Sequence, residues 1–278
     1  MSIITGSKKH SFVCTDTGPQ KLFEFDENGN VIWELSIGCY AFDIWRMPDD
    51  KFLFCHYGSE PSGVKIIDRE GQVLFSYCTQ HEVFGCQPIE NGNILVGELR
   101  QKRLVEVDST AKIVREIPVF YDREDMHEVM RTPRKCRNGE YLVAQPGLCM
   151  IIRYNEKGDI LRRYQTHPDS FGVIERENGN ILYTCKSGLY ELDTEGNEVW
   201  AVTNADIPQM NIKWLLGMQL LTDGNVVVCN WLGHGCEKQG CPLFEINRKK
   251  EVVWACHCEE ITSNMANFQI TDETTCIK

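Results

Sequence analysis

Short apolar runs alternate with polar turns along this chain, and the alternation recurs. Six segments share one pattern: KLFEFDENGNVIWEL (21–35), VKIIDREGQVLFSY (64–77), RLVEVDSTAKIVREI (103–117), MIIRYNEKGDILRRY (150–164), GLYELDTEGNEVWAV (188–202) and PLFEINRKKEVVWAC (242–256). In each, apolar residues alternate with polar ones, a polar turn often marked by Gly follows, and then a second β-type run. That is the signature of a hairpin.

Upstream of the hairpins lies a second recurring phrase, clearest as FGCQPIENGNILVGE (84–98), FGVIERENGNILYTC (171–185) and LGMQLLTDGNVVVCN (216–230). FDIWRMPDDKFLFCH (42–56) and HEVMRTPRKCRNGEYLVAQ (127–145) match it more loosely, the latter with an insertion placed before the turn at Asn138-Gly139. The turn positions Asp50, Gly92, Gly139, Gly179 and Gly224 are 42, 47, 40 and 45 residues apart. A period in the forties holding four short strands predicts a β-propeller blade.

The expected fold is therefore all-β: one domain over residues 1–278, a six-bladed β-propeller of four-stranded blades. The first hairpin is preceded only by the apolar run His10 to Cys14, while Asn267 to Asp272 resembles an inner strand with no hairpin after it. N- and C-terminal strands are thus expected to share one blade and close the ring, leaving no free sheet edge. Helical periodicity is sustained nowhere, and a seventh repeat is absent from the pattern.

A formal charge of −11 argues against nucleic acid and against an anionic membrane surface, because both need clustered Lys and Arg. No run reaches the roughly 18 apolar residues of a membrane span, and MSIITGSKKHSFV lacks the apolar core of a secretory signal. The expected setting is cytoplasmic, or periplasmic or secreted if a leader was removed, with the protein a monomer. Most of the fourteen cysteines sit in strand patterns; Cys14, Cys55, Cys185 and Cys229 follow β-type runs and are expected to pack as small hydrophobes. Cys236, Cys241, Cys256, His257 and Cys258 form the competing soft-metal reading, without zinc-finger spacing. A Cys236–Cys241 cross-link is a further alternative in an oxidising compartment.

The turn-and-strand phrases ENGNIL, DENGNVIWE and TEGNEVW resemble the PQQ-like propeller superfamily, especially the six-bladed propellers related to bacterial aryl-sulfate sulfotransferases. In that group inner strands read His-Asp-Ile or a variant before Leu-Pro-Asn-Gly-Asn; Phe42-Asp43-Ile44 and His127-Glu128-Val129 approach it. NWLGHG (230–235) looks like a phrase of uncharacterised bacterial members. The resemblance implies the fold and leaves the chemistry open. PQQ itself is not expected, since the quinoproteins that hold it are similar to eight-bladed rings with adjacent cysteines, and no Cys-Cys pair occurs here. The sulfotransferases use a histidine that takes up the sulfuryl group, and His127 is the nearest match.

Inner-strand starts and second-strand ends meet at one mouth of a propeller channel, where loops are free to carry function. That mouth collects Asp43, His56, Glu98, Arg100, His127, Glu128, Gln145, Lys186, Asn230, Trp231 and His234, a polar funnel on this reading. His127 and His234 are the candidate catalytic groups, because imidazole titrates near neutrality; the others are candidate substrate contacts, with Arg100 and Glu98 orienting an anion and Trp231 stacking on a sugar or aromatic ring. For each a bland alternative stands: His127 bonding blade to blade, Arg100 and Glu98 forming a rim ion pair. Gln87, Gln219 and Gln269 are expected to seal the channel, and Trp33, Trp200 and Trp254 to pack between blades.

Three functions compete: an enzyme acting on a carbohydrate or small polar or anionic substrate by histidine acid-base chemistry, hydrolytic or eliminative; a glycan- or protein-binding propeller without a reaction; and a sulfotransferase. No cofactor is expected, although a divalent metal held by His56, His127 and His234 is a variant of the first.

Overall fold

The computed structural model describes residues 2–58 and 61–272. Six antiparallel sheets form the ring. The first blade, in chain order, contains Tyr40–Met47, Lys51–Tyr57, Ser62–Ile67 and Val73–Thr79. The second holds Cys86–Pro88, Ile94–Glu98, Arg103–Val107 and Ile113–Pro118, the third Pro133–Lys135, Tyr141–Gln145, Met150–Tyr154 and Ile160–Gln165. The fourth holds Val173–Glu175, Ile181–Cys185, Gly188–Leu192 and Glu198–Thr203, the fifth Leu215–Leu220, Val226–Asn230, Leu243–Ile246 and Val252–His257. In the sixth, the closing strand Met265–Ile270 lies innermost against Phe12–Asp16, followed by Lys21–Phe25 and Val31–Ser36. The expected closure of the ring by both ends of the chain is present, with Phe12 paired to Ile270 and Thr15 to Asn267.

One strand was not legible: Ile3–Gly6 adds a fifth, outermost strand to the fifth blade, pairing Ile3 with His257 and Gly6 with Trp254. IITG is too short and too polar at its flanks to announce itself, and it is held by the neighbouring edge.

The local cause of each blade is its outer turn. In DENGN, Asp26 Oδ1 accepts from the backbone N–H of Asn28 and Asn30, and Gly29 takes φ 79°. Asp108, Asn155, Asp193 and Asn247 repeat this bonding at the same place, so an Asx side chain shapes each turn. A bulge sits just before the turn in all six blades, for example between Glu24 and Phe25 and between Glu106 and Val107. Such bulges increase the twist that a blade requires.

The inner strands are stitched in sequence around the channel. Gln219 Oε1 accepts from Ile270 N at 2.8 Å, Gln269 Oε1 from Arg46 N at 2.5 Å, and Gln87 Oε1 from Lys135 N at 2.7 Å. These three glutamines bond the next blade's inner strand, as the sealing reading expects. Trp33 and Trp200 likewise donate to the carbonyls of Arg69 and Arg248 in the following blade. Trp254 is fully buried against His10 and Phe12.

Cys14, Cys55, Cys185 and Cys229 are all fully buried, and every described cysteine is a free thiol, Cys236 and Cys241 included. Burial pushes the Cys14 and Cys185 thiols up, so they act as hydrophobes. Among the described residues no helix is long and apolar enough to cross a membrane, and no group of three His, Cys, Asp or Glu is placed to hold a metal ion.

Candidate functional site

Six residues stand at the same level of the six inner strands: Phe42, Phe84, Arg131, Phe171, Leu216 and Ala266. The ladder registers fix this equivalence, because Cys86 faces Val96, Pro133 faces Val143 and Val173 faces Tyr183, each at the third position of its second strand. One level deeper stand Asp43, Gly85, Thr132, Gly172, Gly217 and Asn267. There the strands converge so closely that a Cβ on Gly217 would lie 2.3 Å from Asn267 Oδ1.

The third blade therefore differs from its sequence reading. The insertion precedes the inner strand, which is Pro133–Lys135, so His127 starts no strand but lies in a loop with a 3-10 turn, Met126–Glu128. Asp125 caps that turn by accepting from His127 N at 3.0 Å. Arg131 occupies the level that Phe holds in three other blades.

Above this ring opens a cavity of about 230 Å³ lined by Phe42, Tyr57, Phe84, His127, Arg131, Phe171, Trp214, Leu216, Trp231 and His234. It is aromatic rather than a polar funnel. Phe84 meets Phe42 edge to face at 4.8 Å and Tyr57 at 5.4 Å, and Trp214 meets Trp231 at 6.0 Å. Burial pushes the Tyr57 phenol up to about 12, so it stays a hydrogen-bond donor at neutral pH.

Arg131 is the cation in this wall, 6 % exposed, with its guanidinium 4.6 Å from the Phe84 ring centre and 6.0 Å from that of Phe171. Its Nη1 donates to the carbonyls of His127 and Met130, and its Nη2 to Glu128 Oε1 at 2.8 Å. Burial lowers its pKa, with Glu128 opposing. These three hydrogen bonds tie the His127 loop to the ring.

His127 stands 49 % exposed at the rim, edge-on to Phe84 at 5.2 Å, with Nδ1 2.8 Å from Glu82 Oε2. A carboxylate at Nδ1 favours the proton there and leaves Nε2 as the basic nitrogen. His234, at φ 56°, packs edge-on against Trp231 at 4.8 Å.

The expected site residues separate into three groups. His127, Trp231 and His234 line the cavity together. Glu128, Lys186 and Arg100 are next to it: Glu128 holds Arg131, Lys186 Nζ lies 5.4 Å over the Trp214 ring, and Arg100 lines an adjoining cavity of about 350 Å³ with His81, Glu82 and His127. Arg100 contacts His81 rather than Glu98.

The third group is buried in the scaffold. Asp43 accepts from Arg134 Nη1 at 2.9 Å and Asn267 Nδ2 at 3.0 Å inside the channel. His56 is 1 % exposed with no partner for Nδ1 among the described residues. Glu98 accepts from Tyr77 Oη at 2.7 Å and Arg103 Nε at 2.5 Å. Gln145 holds the loop of His127 by donating to Phe120 O and Val129 O. Asn230 accepts from Lys213 N and Trp214 N and donates to Cys241 O, which positions both cavity tryptophans. Apart from His56, these side chains direct their polar atoms to neighbouring strands and loops.

Sequence reasoning missed Arg131, Glu82, Tyr57, Trp214 and the phenylalanines. A signal existed: Phe42, Phe84, Arg131, Phe171 and Leu216 each lie eight positions before the turn residues Asp50, Gly92, Gly139, Gly179 and Gly224.

No protein-family model matches the chain, and no curated protein matches it. Solved structures do. A protein of unknown function from Bacteroides caccae is 20 % identical at a TM-score of 0.83, covering 94 % of this chain and 98 % of that one. A catalytically inactive histidine variant of virginiamycin B lyase from Staphylococcus aureus, with quinupristin, is 11 % identical at 0.63, covering 92 % and 88 %. A streptogramin B lyase is 11 % identical at 0.61, covering 91 % and 87 %. A relationship to the sulfotransferase-like propellers finds no support in these likenesses, which at such identities establish the six-bladed fold alone.

Proposed function

We propose that the aromatic mouth takes a small substrate bearing a flat apolar face and an anionic group, and that His127, oriented by Glu82, acts on it as general base in an elimination or hydrolysis. The observation that carries this reading is Arg131, a buried guanidinium within an aromatic wall. Such a group offers its positive charge to a carboxylate while the rings cover an apolar body. A neutral sugar would leave most of its hydroxyls unmet against this wall. The solved lyase whose histidine-to-alanine variant is described as inactive supports a histidine in this role, as an analogy.

Binding without reaction is the second reading. It is favoured by His234, which has an edge contact with Trp231 but no hydrogen-bond partner among the described residues, so the two imidazoles do not form an oriented acid-base pair.

Trp214 and Trp231 report occupancy directly. Benzoate is expected to quench tryptophan fluorescence saturably, benzamide to bind at least tenfold more weakly, and Arg131→Gln to abolish that difference. Equal binding of the two probes by the unmodified protein would sink the anionic part of the reading. For a substrate found among aryl-acid esters and amides, His127→Ala should lower kcat by about 100-fold or more; unchanged turnover in both His127→Ala and His234→Ala would leave the binding reading.

A further inference from the structure

The other end of the channel carries a second cavity of about 440 Å³, three levels further along the same inner strands and separated from the aromatic mouth by the Asp43–Arg134 pair. Its ionic lining consists of Arg134, Lys135, Arg137 and Arg176 against Glu175 and Glu177. Four cations meeting two carboxylates is a local reversal in a chain with 40 acidic and 29 basic residues.

These cations are unequally occupied. Arg134 is 7 % exposed; its Nη1 is taken by Asp43 and Pro133 O, and its Nε is buried with no acceptor among the described residues. A buried donor left in this state calls for an ion or water that completes it. Among the described residues Arg137 pairs only with Glu177, at 3.2 Å, with side chains 72 % and 79 % exposed, a pairing that contributes little. Arg176 reaches Glu191 at 3.8 Å, but that carboxylate already accepts from Arg248 and, at 2.6 Å, from Asn180. Glu175 is engaged by Arg153 at 2.5 Å, and Lys135 by Glu106 at 2.6 Å. Two guanidiniums are therefore easily recruited above a third whose Nε lacks an acceptor among the described residues.

We propose that this cavity binds a small multivalent oxyanion, a phosphate monoester or a dicarboxylate. Guanidinium forks match the paired oxygens of either group. The adjoining groove of about 550 Å³, which shares Arg137, Arg176 and Glu177 and continues to Leu220, accommodates the organic part. This site is independent of the reaction at the opposite mouth.

The test is calorimetric titration of the full chain with inorganic phosphate, with succinate and with glycerol as the neutral control. Saturable binding of at least one anion and none of glycerol is expected; the stronger anion identifies the class. Arg137→Ala and Arg176→Ala should each weaken it about tenfold, while Lys249→Ala, an exposed cation elsewhere, should not. Absence of saturable anion binding, wild-type affinity in both arginine variants, or an equal loss in Lys249→Ala would each overturn the proposal.

Discussion

His56 provides a test of how the scaffold, rather than the site, responds to pH. Its imidazole is buried, its Nδ1 has no hydrogen-bond partner among the described residues, and the charge of Lys65 adds to the cost of protonation, so its pKa falls to about 4 from an ordinary 6.5. Because the folded value is depressed, the unfolded chain binds the proton first. Stability is then lost as pH falls from about 6.5, and the loss levels off below about 4. Linkage over that interval gives a penalty of about 2 kcal/mol between pH 7 and pH 5, approaching about 3 kcal/mol near pH 4.

His10 acts in the opposite sense. Burial lowers its pKa, but hydrogen bonds and charges from Glu245 and Asp272 outweigh that and raise it, so its contribution is complete below about 6.5 and fades as pH rises through the folded value. The clean measurement is consequently a difference. Urea denaturation of the wild type and His56→Leu at pH 7 and pH 5 should show the wild type losing about 2 kcal/mol more than the variant, since His10 cancels between them. Parallel losses in the two proteins would refute the assignment of a neutral, buried His56.

Two predictions concern the channel. Asp43→Ala leaves the Arg134 guanidinium buried without its carboxylate and should cost about 3–5 kcal/mol in urea denaturation, whereas the double change Asp43→Leu with Arg134→Leu should cost less; an additive double variant would contradict the pairing. Gln219→Leu removes the acceptor of Ile270 N and should lower stability by about 1–3 kcal/mol, with faster exchange of the Ile270 amide; unchanged exchange would show that the stitch carries nothing.

The fold was legible because its evidence is repeated. Alternation, the Asx-and-glycine turn and a spacing in the forties occur blade after blade, and the orphan strand at Asn267 predicted closure without any knowledge of contacts. The site was only partly legible because it is made from exceptions to the repeat. Arg131 stands where Phe recurs, but the insertion ahead of Pro133 hid that register, and polar residues near the mouth drew attention that belonged to the apolar level above Asp43. Second-strand ends such as Glu98 and Asn230 bond neighbouring side chains and loop backbone, which sequence alone does not separate from facing a ligand. Trp231 and His234, which line the cavity, stood out in the sequence because they lie on a loop inserted into the repeat.

The closing strand has a consequence for synthesis. Phe12–Asp16 waits for Met265–Ile270, so the sixth blade has no innermost strand until nearly all of the described chain has been made. A ribosome-bound chain can stack five blades yet must hold an open arc, with the inward edge of Phe12–Asp16 unpaired. Closure then depends on a contact of very long sequence separation, the kind that forms slowly. Vulnerability to aggregation should be concentrated in that interval, before the last strand leaves the exit tunnel.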